Sequence, residues 1–165
     1  MIPQYKTILY ATDLTSNATT AFRHAVGIAR CHNARIHLLH VMPEMEPAVL
    51  NYVSTVMGED KLADFELEHK QEVSETIRQQ LQAFAEEELA DHPEDLARIA
   101  AIEIHHGHAV GLILEISDRI EADLVVLGSH GKGALKYTFL GSVAEKVLRK
   151  SRRPVLVVPL DHPHD

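Results

Sequence analysis

Five short runs rich in Val, Ile and Leu are separated by segments with helical periodicity, and this alternation constrains the fold more than any other feature. Strands that are apolar along most of their length are typical of a mostly parallel sheet covered by helices on both faces. We therefore predict one Rossmann-like α/β domain over residues 1–160, built on an open five-stranded sheet, and a short tail at 161–165. The strand runs lie at residues 7–11, 34–42, 100–105, 124–127 and 154–160.

The segments between these runs carry the apolar spacing of amphipathic helices. The first helix has its apolar positions within residues 22–29, and Thr15 or Ser16 is a candidate cap for it. Residues 43–58 fit neither period, and we predict a loop or a short helix there. The other helices are predicted over residues 62–84, 109–120 and 141–150.

The formal net charge of −8 argues against a nucleic-acid backbone or an anionic membrane as the main partner. Any phosphate group must then be attracted by local features of a site. No apolar run approaches the ~20 residues that span a bilayer, and residues 1–6 do not begin a signal-type segment. We predict a cytoplasmic protein without membrane insertion. Cys31 is the single cysteine, which excludes an intramolecular disulfide.

A glycine-rich segment directly follows the apolar run at residues 124–127. It begins Gly128-Ser129-His130-Gly131-Lys132-Gly133, and Gly141-Ser142 opens the next helix. Glycine lets a backbone approach an anion closely, and free N–H groups at a helix start donate to phosphate. The spacing matches neither G-x-x-x-x-G-K-[ST] nor G-x-G-x-x-G. From these residues alone, a phosphate cradle and an ordinary strand-to-helix loop both remain open.

Asp13 stands at the end of the first apolar run, as Gly128 stands at the end of the fourth. If the strand order is 3-2-1-4-5, these two residues flank the point where the order reverses. Ligands bind at that crevice in open α/β sheets. Asp13 could then accept a hydrogen bond from a ribose or an adenine amino group, or it could instead cap the first helix.

The spacing Gly128-x2-Gly131-x9-Gly141-Ser142 matches the G-x2-G-x9-G-[ST] signature of a known family. On these residues the chain resembles the ATP-binding branch of the universal stress proteins. The resemblance extends over nearly the whole chain. It includes the segments at residues 8–13, 40–41, 122–128 and 153–159.

The resemblance implies a site for an adenine nucleotide, which would be ATP, ADP or AMP, with Mg²⁺ or Mn²⁺ accompanying a triphosphate. Asp13 and the Val41 backbone would meet the adenine, and the α-helix start after Gly141 would cradle the phosphates. The nucleotide-binding residues implied are Ala11, Thr12, Asp13, Val41, Leu127, Gly128, His130, Gly131, Gly141, Ser142 and Val143.

The resemblance also implies a homodimer, because family members usually pair their final strands, here Val155–Val158. An apolar edge strand left unpaired favours aggregation, which agrees with this expectation. Two features depart from the family. Leu14 replaces a small residue found in many members, and residues 44–64 fall in a variable region from which no role carries over.

Twelve histidines invite a metal hypothesis. His105 and His106 would point to opposite faces of a strand, and no cysteine or carboxylate spacing matches a structural zinc site, so we predict no metal site on the chain. Residues 105–108 also spell H-x-G-H, which resembles the nucleotidylyltransferase signature. Because this motif follows the third strand rather than the first, we expect it to lie away from the proposed crevice.

Three functions remain to be compared. The first is a nucleotide-dependent regulator in a stress response, acting on a transporter or another unidentified protein. The second is a slow ATP hydrolase or an adenylyl-transferring enzyme, for which His130 is the candidate base. The third is a partner-binding module with an empty pocket. Since no residue other than His130 stands ready to activate water, we favour the regulator and assign no catalytic residue.

Overall fold

A computed structural model describes residues 1–14, 18–44, 46–129 and 141–159. Strands and helices alternate along these ranges, apart from two consecutive helices after the second strand. The elements are β1 (Thr7–Thr12), α1 (Ala18–His32), β2 (Arg35–Met42), α2 (Pro47–Met57), α3 (Glu59–Glu88), a 3-10 turn (Pro93–Arg98), β3 (Ile99–His106), α4 (Ala109–Arg119), β4 (Leu124–Gly128), α5 (Ser142–Lys150) and β5 (Val155–Val158).

The five strands in the described ranges form one parallel sheet in the order β3-β2-β1-β4-β5. This confirms the predicted fold class and strand order. The order reverses between β1 and β4, where Tyr10 pairs with Val126. Asp13 and Gly128 therefore stand at the carboxyl ends of neighbouring strands, where an open α/β sheet forms its ligand crevice.

Successive residues of each strand point to opposite faces of the sheet and enter two separate apolar cores. Ile8 and Tyr10 join the core beneath α1 and the end of α3. Leu9 and Val125 join the core beneath α4 and α5. Burial raises the pKa of Tyr10, whose hydroxyl donates a 2.8 Å hydrogen bond to the Ala18 carbonyl and so fixes the start of α1. Thr15 and Ser16, the candidate caps of this helix, lie outside the described residues.

The segment that the sequence left open contains a helix, α2. Pro47 suits its first turn, where a missing N–H costs nothing, and Gly58 at φ +85° separates it from α3. Between Pro47 and Met57 the helix carries no charge and buries only Val53. None of the described helices, including the 30 residues of α3, is long and apolar enough to cross a membrane.

Candidate functional site

The two ends of the glycine-rich segment are hydrogen-bonded to each other. The Ser129 carbonyl accepts a 2.5 Å hydrogen bond from the Gly141 N–H, and the Ser129 N–H donates to the Val158 carbonyl at 2.8 Å. The first and third glycines of the motif, Gly128 and Gly141, are therefore held at one place on the carboxyl edge of the sheet. His130 and Gly131 lie outside the described residues.

Beside this point is a pocket of about 310 Å³, at the lower end of the range for small-molecule sites. Three parts of the chain form its described walls: the end of β2, the turn from β3 into α4, and the first turns of α5. The described lining residues are Val41, Pro43, Gly107, His108, Ala109, Val110, Ser142, Val143 and Lys146.

Three of the residues implied for the nucleotide site, Val41, Ser142 and Val143, meet in this pocket. Ala11 and Leu127 belong to the apolar core on the same sheet face, beneath α4 and α5. Four others stand at the surrounding strand and helix ends without being among the described walls of the pocket. These are Thr12 at the end of β1, Asp13 directly after it, Gly128 at the end of β4, and Gly141 before α5.

Both helices that begin at the pocket have open amino ends. Gly141 precedes α5 and His108 precedes α4, and no described side chain caps either helix. The first N–H groups of a helix have no partner within the helix, and the helix dipole makes that end favourable for negative charge. The pocket thus joins an apolar wall to two sources of N–H donors, a combination suited to an anionic ligand with an apolar part.

The profile of the Universal stress protein family matches residues 4–159. The chain belongs to the universal stress protein family. Among its relatives, the universal stress protein MJ0577 of Methanocaldococcus jannaschii is 33% identical, over 96% of this chain and 97% of that protein. The stress response protein NhaX of Bacillus subtilis is 29% identical, over 92% of this chain and 96% of its own length.

Solved structures agree with this membership. The structure of MJ0577 superposes with a TM-score of 0.75 at 30% identity, covering 98% of this chain and all of that one. Universal stress protein UspA from Lactobacillus plantarum gives a TM-score of 0.68 at 25% identity, covering 95% of this chain and 99% of that one. The family and its α/β fold, both expected from the sequence, are confirmed.

In this universal stress protein the H-x-G-H segment contributes to the pocket. The expectation that it lies away from the crevice was wrong, because Gly107 and His108 line the same pocket as Val41 and Ser142. The physical reason is that β3 pairs with β2 as far as Met42 and His106, which brings the turn after β3 beside the end of β2. Strand order alone suggests a greater separation.

Gly107 fixes the shape of that turn. Its φ is +144°, a conformation that L side chains rarely adopt, and its N–H donates a 2.8 Å hydrogen bond to the Met42 carbonyl. A Cβ at this position would lie 3.2 Å from Cδ1 of Leu112. A glycine that ends a strand just before a helix was the signal in the sequence that could have identified this wall.

One histidine holds the backbone around the site, and a second nearby is uncharged. His40 is buried, and its Nδ1 lies 2.8 Å from the Thr12 carbonyl oxygen, which joins the end of β1, next to Asp13, to β2. Burial, together with the nearby ammonium of Lys70, lowers the pKa of His106, so this imidazole is neutral at pH 7. Within the described ranges, no three His, Cys, Asp or Glu side chains come together as potential metal ligands.

Proposed function

We propose that this universal stress protein binds an adenine nucleotide at the carboxyl edge of its sheet and acts as a nucleotide-dependent regulator of another protein during stress, in the cytoplasm. The observation that carries the proposal is the pocket that Val41 of β2 lines together with Ser142 and Val143 of α5. An apolar strand end suits a base, and an uncapped helix start beside a serine hydroxyl suits a phosphate.

The residues around this pocket have complementary roles in the proposal. Val41, with Pro43 and Val110, forms the apolar wall against the adenine, while Asp13 accepts a hydrogen bond from the base or the ribose. The phosphates bind the N–H groups that follow Gly141. The remaining residues of the proposed nucleotide site are Ala11, Thr12, Leu127, Gly128, His130 and Gly131.

Comparison with another universal stress protein supports an adenine-containing ligand. A structure with the same fold, at 21% identity and a TM-score of 0.52, was solved in complex with cAMP. That complex belongs to the other protein, and it supports the range of ligands proposed here: ATP, ADP or AMP.

A divalent cation fits this site only as a companion of the phosphates. Mg²⁺ prefers hard oxygen ligands and is often held by one or two carboxylates together with phosphate oxygens. The described walls of the pocket include the hydroxyl of Ser142 but no carboxylate. When bound with a triphosphate, Mg²⁺ or Mn²⁺ would neutralise phosphate charge. Among the described lining residues, Ser142 would offer its hydroxyl oxygen to the ion.

We propose further that the protein is a dimer through β5. This strand pairs with β4 on one side, and within the described ranges no strand pairs with its other side. Three of its four residues are only half-buried in one chain. Light scattering after size exclusion should give twice the chain mass of 18.4 kDa, and a monomer at micromolar concentration would contradict the dimer.

Equilibrium titration with a fluorescent ATP analogue tests the nucleotide site. Ala109→Phe places a ring in the pocket, and Gly131→Val alters the second glycine of the motif; each should weaken binding at least about tenfold, or ~1.4 kcal/mol. The matched control is Ala90→Phe, an exposed position after α3, which should bind as the wild type does. Undiminished binding by both site variants would reject the assignment.

A phosphate-release assay separates the regulator from an ATP hydrolase. We expect turnover near the background of free ATP, with or without Mg²⁺. Turnover well above background that is abolished by His130→Ala would instead favour the enzyme. Protein that carries no nucleotide and binds none would favour a partner-binding module with an empty pocket.

A further inference from the structure

Lys146 is a cationic residue of the pocket that the sequence did not reveal. It lies four positions after Ser142 and three after Val143, so its side chain shares one face of α5 with both of them. All three residues line the pocket. The Lys146 side chain therefore lines the same pocket as the open amino end of the helix.

The ammonium of Lys146 has no competing carboxylate among the described residues. It takes part in none of the ion pairs in those ranges, although Glu145 precedes it in the helix. Glu145 instead accepts a 2.7 Å hydrogen bond from the guanidinium of Arg149, one turn further along α5. Among the described residues, a phosphate approaching Lys146 thus has no ion pair to separate before it can contact the ammonium.

We propose that Lys146 makes this site selective for phosphorylated nucleotides over nucleosides, by donating hydrogen bonds from its ammonium to a phosphate oxygen. This inference rests on the proposed nucleotide site. A chain with a net charge of −8 repels a nucleotide at long range, so a local positive charge has a large effect on phosphate affinity. The N–H groups at the start of α5 bind the same phosphate. They are fixed in direction, whereas the lysine ammonium is carried on a flexible side chain.

The lysine should not affect the apolar part of the ligand. Val41 and Pro43 form a separate wall of the pocket, at the end of β2. A nucleoside uses that wall but offers no charge to the ammonium. Removal of the charge should therefore weaken the binding of ATP and AMP and leave the binding of adenosine unchanged.

Calorimetric titration of ATP, AMP and adenosine against three variants tests the inference. Lys146→Gln should weaken ATP and AMP about tenfold and change adenosine less than twofold. Lys146→Arg should recover most of the ATP affinity. Lys150→Gln is the matched control, because it removes one charge from the same helix at an exposed residue outside the pocket walls, and it should bind all three ligands as the wild type does.

The outcomes separate this inference from the proposed function. A wild type that binds ATP and adenosine equally tightly, or a Lys146→Gln variant that binds ATP normally, overturns the role of Lys146 and leaves the nucleotide site intact. Equal weakening of ATP and adenosine would show a structural role and also overturns it. A wild type that binds none of the three ligands overturns the proposed function and this inference together.

Discussion

The carboxylate of Asp123 accepts a 2.9 Å hydrogen bond from the backbone N–H of Thr7, across 116 positions of sequence. The same oxygen accepts a 2.8 Å hydrogen bond from the N–H of Lys6, and the Asp123 N–H donates to the Thr7 carbonyl at 2.8 Å. These bonds align the amino ends of β1 and β4. Because both strands run in the same direction, they also set which residues meet at the carboxyl ends, where Asp13 and Gly128 lie.

We expect Asp123→Ala to lower the free energy of unfolding by about 2 kcal/mol, since it removes two hydrogen bonds to a charged acceptor. Urea denaturation measures the loss. The control is Asp118→Ala, which removes a surface ion pair with Arg153 at 3.2 Å and should cost at most about 0.5 kcal/mol. Equal losses in the two variants would show that Asp123 does not align the strands.

Asp95 joins two arginines at the start of β3. Its side chain is 3% exposed and accepts hydrogen bonds from Arg30 and from Arg98, the latter at 2.9 Å. Burial alone would raise the pKa of Asp95, but the two guanidinium groups outweigh it and lower the pKa below its usual range. The carboxylate therefore stabilises the fold at neutral pH, and this contribution is lost as the pH falls below about 4.

Asp95→Asn should cost about 2 kcal/mol of stability at pH 7, because it removes the charge that both arginines pair with. The loss should shrink as the pH falls below about 4, where first the unfolded chain and then the folded wild-type carboxyl takes up the proton. Glu145→Gln, which breaks the exposed pair with Arg149, is the comparison and should cost no more than about 0.5 kcal/mol. A cost for Asp95→Asn that stays constant between pH 7 and 3 would contradict the charge argument.

His37 should make the protein less stable in mild acid. Its Nδ1 is buried without a hydrogen-bond partner among the described residues, and burial lowers the pKa of the imidazole despite the nearby Glu103. The unfolded chain then takes up the proton at a higher pH than the folded chain does, so stability is fully present above about pH 7 and falls as the pH drops through 6.5 and below.

His37→Leu and His37→Gln should both flatten the dependence of unfolding free energy on pH between 7 and 5, measured by urea denaturation at each pH. The two replacements differ in polarity but share the absence of a titrating group. If only the leucine variant flattens the curve, packing rather than protonation is responsible.

Leu14 is held in a left-handed conformation, with φ +61°, directly after Asp13. This conformation costs roughly 1–2 kcal/mol for an L residue with a side chain. For glycine the main cost is the larger conformational entropy of the unfolded chain. Leu14→Gly should therefore raise the free energy of unfolding by about 0.5 kcal/mol, and the β-branched Leu14→Val should lower it by about 1 kcal/mol. Thermal or urea unfolding that ranks the three proteins in another order would contradict the strain.

Much of the fold was predictable because the strands are apolar along most of their length. Leu124–Gly128 has no polar position before its glycine, a pattern typical of a short strand covered on both faces. Helix α2 was predicted only as one of two alternatives, a loop or a short helix, because its exposed side is also apolar: Tyr52 is 70% exposed and Val56 65%. Without a polar face the sequence shows no alternation with the period of a helix, although Pro47 and Gly58 mark the two ends of α2.

The candidate site was predictable only where it depends on strand order. Asp13 and Gly128 follow neighbouring strands, so their closeness could be deduced. The positions of His108 and Lys146 depend on how α4 and α5 begin above the sheet. Gly107 marks the turn before α4, but no pattern in the sequence places the start of α5 at the same pocket. Periodicity shows which face of a helix is buried, but not which pocket its first turn meets.

The pairing of Ile8 with Leu124 has a consequence for the protein during its synthesis. One side of β1 stays without a neighbour until more than 100 further residues have been added by the ribosome, a delay of roughly 6–20 s at usual elongation rates. The crevice between β1 and β4 is thus closed only late in translation. The nucleotide site proposed at this crevice cannot form during the early stages of synthesis, and β2 cannot protect the bare edge in that interval because it pairs with the other edge of β1.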